Sequence, residues 1–260
     1  MSFLIDTIFY SEKRYSLLCL LYDNDELDID DINNYLNETS VSILPQIKKL
    51  IESNIIENID GKYKLTSIGR LISKKIKNYI KKIKLFEKNI DFWSNVDFNK
   101  MPSCFINNIG YLDPIYILNL NINSNKEESL LEKILKYTNN LILIISSNYD
   151  IYFNVLEYRL RNNLYTKLFT TRYIIDRVLK KINTLNLKIN INFEYYLIPI
   201  EINIFEIILT SDVLILFIKK IKEDLNTVSF ILSCNPKILM IGMKIVRYYE
   251  KKSEKMSNNE

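Results

Sequence analysis

The sequence predicts a two-domain protein of mixed α+β and α/β class. A small helical domain with a two-stranded wing leads by a long linker helix into a C-terminal mixed α/β sheet domain. Three observations predict it. Residues 11–86 hold a dense series of helix signals broken once by a hairpin signal, Asp60-Gly61. An apolar stripe then runs through a proline-free stretch of about 25 residues. Beyond residue 100 short apolar runs alternate with amphipathic segments, the texture of a sheet with crossover helices. At 260 residues, 48% hydrophobic and 25% charged, the chain can bury a core in each domain.

In order along the chain, Ser11 caps a helix in which Leu17, Leu18 and Leu21 share a face. Residues 28–36 form a second helix whose first turn is acidic, which suits the helix dipole. Thr39 is the N-cap of a third. Over 40–53 the apolar positions Val41, Leu44, Ile47, Leu50 and Ile51 step by three or four, placing Ser42, Gln46, Lys49 and Ser53 on the opposite face. Pro45 lies inside this pattern and predicts a distorted early turn, and Asn54 a C-cap. Residues 55–59 and 62–65 read as strands joined by a type I′ turn at Asp60-Gly61. Thr66 or Ser67 restarts a helix carrying Leu71, Ile72, Ile76, Ile80 and Ile83. Three helices, a wing and a fourth helix make the order of a winged helix-turn-helix, whose third helix can enter a major groove while the wing follows phosphates.

In the second domain, strands are expected over 116–120, 141–145, 164–169, 193–198, 204–209, 213–217 and 228–232. Helices are expected over 127–137, 151–160, 172–182 and 236–251, the last opened by Asn235 and Pro236. The resulting division is 1–66 for the winged domain, 67–100 for the linker and dimerisation helix, 101–253 for the sheet domain, and 254–260 for a frayed tail.

The absence of histidine excludes Ser-His-Asp and Cys-His triads and the H-E-x-x-H zinc motif. Three dispersed cysteines give no C-x-x-C site. No metal, no cofactor and no enzymatic activity are expected. Ile, Asn and Lys bias fits A/T-rich codons, which weakens lysine abundance as a sign of nucleic acid; the net charge of +4 decides little. Its distribution says more: residues 1–38 balance at −7 and residues 39–88 at +8. No apolar run reaches membrane-spanning length and the N-terminus lacks a secretory pattern, so a cytoplasmic protein without membrane contact is expected.

The segment Ser40-Val41-Ser42-Ile43-Leu44-Pro45-Gln46-Ile47-Lys48-Lys49-Leu50 resembles archaeal winged-helix transcriptional regulators carrying the methanogenesis regulatory protein middle domain. Tyr63-Lys64-Leu65-Thr66-Ser67-Ile68-Gly69, Phe86-Glu87 and Asp91-Phe92-Trp93 are similar to the same family. So are Leu168-Phe169-Thr170-Thr171, Ile231-Leu232-Ser233 and Arg247-Tyr248-Tyr249-Glu250. The resemblance implies a DNA-binding regulator from a methanogen. Its second domain would have a phospholipase-D-like fold without the catalytic motif and act as a sensor or in assembly.

For double-stranded DNA, the expected contacts are Thr39, Ser40, Ser42, Pro45, Gln46 and Lys49 from the third helix, with Lys62 from the wing. Gln pairs bidentately with adenine, Ser with several base edges, and Lys with guanine or phosphate; Pro45 offers apolar surface to a thymine methyl. A homodimer is expected through the stripe of the long helix. A small polar or anionic ligand is expected just past strand ends, at Ser146, Ser147, Asn148, Thr170, Thr171, Arg172, Ser233 and Asn235, with Arg172 the best anion donor. Tyr149, Tyr152, Tyr195 and Tyr196 either line a pocket or fill the core. Two other readings compete: a winged-helix protein-interaction scaffold without specific DNA binding, and a histidine-free hydrolase using Ser146 or Ser147, which lacks a G-x-S-x-G elbow.

Overall fold

The computed structural model describes residues 3–121, 125–147, 150–199, 205–218 and 227–256. It divides into two compact units, Met1–Lys84 and Leu85–Glu260.

The first unit contains α1 (Phe3–Phe9), α2 (Glu12–Asp23), α3 (Ile29–Leu36), α4 (Ser40–Glu52), the hairpin β1 (Ile56–Ile59) and β2 (Lys62–Leu65), and most of α5 (Ser67–Glu87). α1 was not foreseen. Asp28 caps α3 by accepting from the Asp31 amide at 2.8 Å, as an acidic N-cap should. Ser11 and Thr39 occupy N-cap positions but make no side-chain cap bond. The hairpin turn has Asp60 at φ 52° and Gly61 at φ 83°, the pair of positive angles a type I′ turn demands. Tyr63 also pairs with Leu27 across the other side of the hairpin. At the start of α5, Thr66 Oγ1 accepts from the Gly69 amide. A side chain at Gly69 would run into the Ile55 carbonyl, so glycine permits the close approach of helix and hairpin.

Leu17, Leu18, Leu21, Ile32, Ile43, Ile47, Leu50 and Ile76 form the centre of this unit's core. Several expectations change here. The buried face of α4 is Ile43, Ile47 and Leu50, whereas Val41 is 86% exposed and Leu44 43% exposed. α4 also runs through Pro45 without interruption. On α5, Ile76 is 4% exposed and packs, with the half-buried Ile72 and Ile80, into the unit's own core. Of the stripe read as a dimerisation seam, Ile72, Ile76 and Ile80 therefore serve the unit's own core while Leu71 and Ile83 stay exposed, and the first unit extends to Lys84.

The second unit holds α6 (Ile90–Trp93), α7 (Ser103–Ile106), β3 (Tyr116–Asn121), α8 (Asn125–Tyr137), β4 (Leu141–Ile144), α9 (Asp150–Arg161) and β5 (Thr166–Thr170). It continues with α10 (Arg172–Thr184), β6 (Phe193–Leu197), β7 (Ile207–Thr210), β8 (Leu214–Ile218), β9 (Thr227–Ser233), α11 (Pro236–Lys252) and β10 (Glu254–Lys255). The described strands form one sheet in the order β10-β6-β5-β4-β7-β8-β9-β3. Only β4-β5 and β5-β6 are parallel. Side chains alternate across the sheet: Leu141, Leu143 and Ile145 join the layer of α8, α9 and α10, while Ile144, Phe169 and Ile207 join the layer containing α11. The two-sided burial explains why these strands read as continuous apolar runs. Residue 204, expected in a strand, lies outside the described residues. Glu254 and Lys255, expected to fray, pair antiparallel with Leu197 and Tyr196.

Candidate nucleic-acid interface and effector cavity

Helix α4 projects a mixed surface. One outward stripe carries Val41, Leu44, Pro45 and Lys48, with Lys49 flanking it, all exposed; these positions recur at the three- and four-residue spacing of one helical face. The polar residues expected to read bases face elsewhere. Ser40 Oγ accepts from Asn33 Nδ2 at 2.6 Å. Ser42 Oγ donates to Glu38 Oε2 at 2.7 Å, and Lys13 donates to the same oxygen at 2.6 Å. The Lys13 and Ser42 hydrogen bonds hold the Glu38 carboxyl below the ordinary carboxylate value, against a smaller opposing effect of burial. Gln46 Oε1 accepts from Arg14 Nε at 2.7 Å, and Arg14, itself buried, also donates to the Thr7 carbonyl. The acceptor half of a bidentate adenine contact is thus already engaged. Thr39 and Lys49 stay exposed.

The charge reversal along the sequence is partly cancelled in space. Lys62 donates to Glu26 at 2.6 Å, Arg70 pairs with Asp25 at 3.0 Å, and Lys77 pairs with Asp23. Chiefly through the Glu26 hydrogen bond, the Lys62 ammonium is held above the ordinary lysine value. Lys62 and Glu26 are each about half exposed, so a phosphate could replace the carboxylate at little desolvation cost.

In the second unit the expected ligand residues do not converge. Strand pairing places Ile144 beside Ile207 at one end of the sheet and Leu214 beside Ser233 at the other. Ser146, Ser147, Thr170, Thr171 and Arg172 therefore sit at one end, and Ser233 and Asn235 at the opposite end. A mixed sheet breaks the rule that strand C-termini share an edge. Most of these groups are also internally occupied. Glu206 Oε1 accepts from the Ser146 amide, from Ser146 Oγ, and from Ser147 Oγ at 2.7 Å. Thr170 is buried and donates to the Ile145 carbonyl. Asn235 caps α11 by accepting from the Lys237 amide and donates to the Asp113 carbonyl. Arg172 is exposed at the start of α10. Asn148 and Tyr149 lie outside the described residues; Tyr152, Tyr195 and Tyr196 are buried.

A cavity of about 500 Å³ lies instead between α11 and the opposite end of the strands. Ile142 and Leu209 from the sheet and Leu239, Met240, Met243 and Val246 from α11 give it an apolar wall. Asn140, Tyr165, Thr210 and Ser211 contribute polar groups, and Lys167 and Glu250 a charged pair 2.7 Å apart. The Lys167 side chain is 12% exposed. Burial disfavours its charge, but Glu250, Tyr165, Glu194 and Tyr196 together outweigh this and raise its pKa above the ordinary lysine value. Glu194 in turn receives hydrogen bonds from Tyr165, Tyr196 and Lys255. No motif marks this cavity in the sequence, because its residues come from the starts of β4 and β5, the end of β7 and the length of α11.

The family described as the N-terminal domain of the methanogenesis regulatory protein FilR1 matches residues 4–84. No curated protein matches the chain. Among solved structures, TrmBL2, an archaeal chromatin protein with a novel mode of DNA binding, is similar at 12% identity and a TM-score of 0.41. That likeness covers 92% of this chain and 91% of that one. The phospholipase D family member Nuc from Salmonella typhimurium is similar at 9% identity and a TM-score of 0.40, covering 55% of this chain and 97% of that one. NucT from Helicobacter pylori is similar at 8% identity and a TM-score of 0.41, covering 55% of this chain and 99% of that one. Nothing about this chain's chemistry follows from likenesses at that level.

Proposed function

We propose that this chain is a sequence-specific DNA-binding transcriptional regulator of the cytoplasm, whose first unit is a winged helix and whose second unit is a non-catalytic effector domain. The observation that carries the reading is the match of residues 4–84 to the N-terminal domain of a regulatory protein. That stretch supplies an exposed helix α4 and a hairpin whose tip presents Lys62. α4 would enter the major groove and the hairpin would follow phosphate. The relation of the second unit to the middle domain of such regulators, and to a phospholipase-D-like fold without catalysis, belongs to the same proposal. An electrophoretic shift with the full chain, comparing the DNA upstream of its own gene with random duplex, tests it. Tight, competitor-resistant binding supports it, and equal, weak binding to both overturns it.

Two finer parts go with this reading. A dimer would use the apolar residues of α5 that remain exposed, Ile68, Leu71, Tyr79 and Ile83. Leu71→Glu should then convert dimer to monomer in sedimentation without unfolding. A small polar ligand would bind in the cavity beside α11, since a neutral Lys167–Glu250 pair favours hydrogen-bonding groups over a bare anion. Met243→Trp should fill the cavity and abolish any ligand effect on DNA affinity.

A specific observation favours the interaction-scaffold reading as second choice: the helix face left free is largely apolar and the wing's lysine is paired within the chain.

A further inference from the structure

The outward face of helix α4 carries apolar side chains, while two of its hydrogen-bonding side chains are engaged within the unit. Val41 is almost fully exposed, Leu44 is exposed one turn on, and Pro45 lies beside it. Ser42 and Gln46 meanwhile bond to Glu38 and Arg14. An exposed Val-Leu-Pro surface at the start of a helix is costly in water and reads no hydrogen-bond pattern. In a major groove it has one chemical counterpart among base edges, the C5-methyl group of thymine.

Resting on the DNA-binding reading above, we infer that α4 recognises its operator chiefly by packing Val41, Leu44 and Pro45 against thymine methyl groups. Direct polar base readout is secondary. Charge complementarity selects DNA over a protein as the occupant. Lys48 continues the same stripe and Lys49 flanks it, both exposed, so the apolar surface is followed along the helix by two cations that can reach guanine or phosphate. No acidic residue lies in the helix's first turn, where it would repel the sugar-phosphate edge. Pro45 adds a rigid apolar ring that loses no rotamer freedom on contact. Specificity of this kind favours T-containing steps on either strand and tolerates exchanges between the other bases.

The test uses the full chain and a duplex selected by it from a random library. That duplex is then resynthesised with deoxyuridine in place of thymidine at single positions, and with 5-bromodeoxyuridine as the version that restores a group of methyl size. Each methyl buried against α4 should weaken binding about fourfold when removed, and bromine should recover most of that loss. Val41→Gln and Leu44→Gln change exposed residues outside the core and keep good helix formers. They should bind the thymidine and deoxyuridine duplexes equally, which separates direct contact from altered DNA flexibility. Equal affinity of the unaltered chain for thymidine and deoxyuridine duplexes overturns the inference while leaving DNA binding intact, and assigns the apolar face to a protein partner. Failure to select any duplex overturns the DNA-binding reading itself.

Discussion

The two units handle polar groups in opposite ways. In the first, the buried Arg14 apart, charges meet at the surface: Lys62–Glu26 and Arg70–Asp25 join wing and α5 to the acidic stretch before α3, with at least half of most of these side chains in water. In the second, polar groups are taken inside. Arg159, Thr166, Thr170, Ser229 and Ser233 are buried, and Lys167 is nearly so. Exposed pairs are worth little to folding and can be exchanged for other partners. Buried ones fix the structure and cannot be given up without loss. Substitutions in the first unit should therefore alter binding before stability, and those in the second stability before binding.

Arg159 gives the largest effect. Its guanidinium donates to the carbonyls of Leu135, Thr138, Asn139 and Tyr165 and to Thr166 Oγ1, at distances from 2.6 to 3.2 Å. It closes the C-terminal end of α8, where the helix dipole favours a cation. Burial pushes its pKa down to about 10, so it stays protonated at neutral pH. Because a lowered value for a base means the unfolded chain binds the proton more tightly, this shift opposes folding at neutral pH and eases as pH rises through about 10. Arg159→Met keeps the bulk but leaves several buried carbonyls unpaired. A loss of about 3 kcal/mol or more is expected, read from denaturant unfolding of the full chain. A loss under about 1 kcal/mol would mean water replaces the guanidinium.

Much of this was legible in the sequence, and the misses have physical causes. Element order was readable because caps, Asp60-Gly61 and the change from helical to strand texture are local signals. The phase of α4 was not. Ile43, Ile47 and Leu50 step by four and three, and Val41, Leu44, Ile47 and Leu50 by three, so periodicity alone admits both stripes. Choosing the wrong one turned Gln46 outward, and Arg14, hidden in a basic pair near the N-terminus, gave no sign that it would reach it. The long helix was ambiguous for a related reason: an apolar stripe does not say which of its residues meet their own core, as Ile72, Ile76 and Ile80 do, and which stay exposed, as Leu71 and Ile83 do. The candidate ligand residues divide between two ends of the sheet for a topological reason, since β7, β8 and β9 run antiparallel and strand ends therefore fall on both edges.

The wing sharpens the contrast at intermediate size. Lys62 pairs with Glu26 in the free chain, and a phosphate would compete for the same ammonium. Lys62→Ala should weaken specific and random duplex alike and reduce the slope of log affinity against log salt by roughly 0.9. Glu26→Gln should strengthen both and steepen the dependence, because the cation is released and a repelling carboxylate removed. If Glu26→Gln left affinity unchanged at low salt, the hairpin would lie away from the backbone.

Glu38 gives the smallest effect and the one with a pH signature. Its carboxylate accepts from Lys13 and Ser42 and so ties α2 to the start of α4, the end that carries Val41. Those hydrogen bonds depress its pKa in the folded chain, so the unfolded chain takes up the proton first on acidification. Its stabilisation is complete above the ordinary carboxylate value, near pH 4.3, and is lost as pH falls through the lower folded value. Glu38→Gln should therefore be slightly less stable than the unaltered chain at neutral pH, and the gap should close as the solution is taken below about pH 4. Partly exposed as the group is, the gap should also shrink with added salt. Paired denaturation curves at neutral and acid pH measure it. A gap that persisted unchanged in acid would mean that the amide is at fault through lost packing, and that the Lys13–Glu38 charge pair contributes nothing to holding α4 in place.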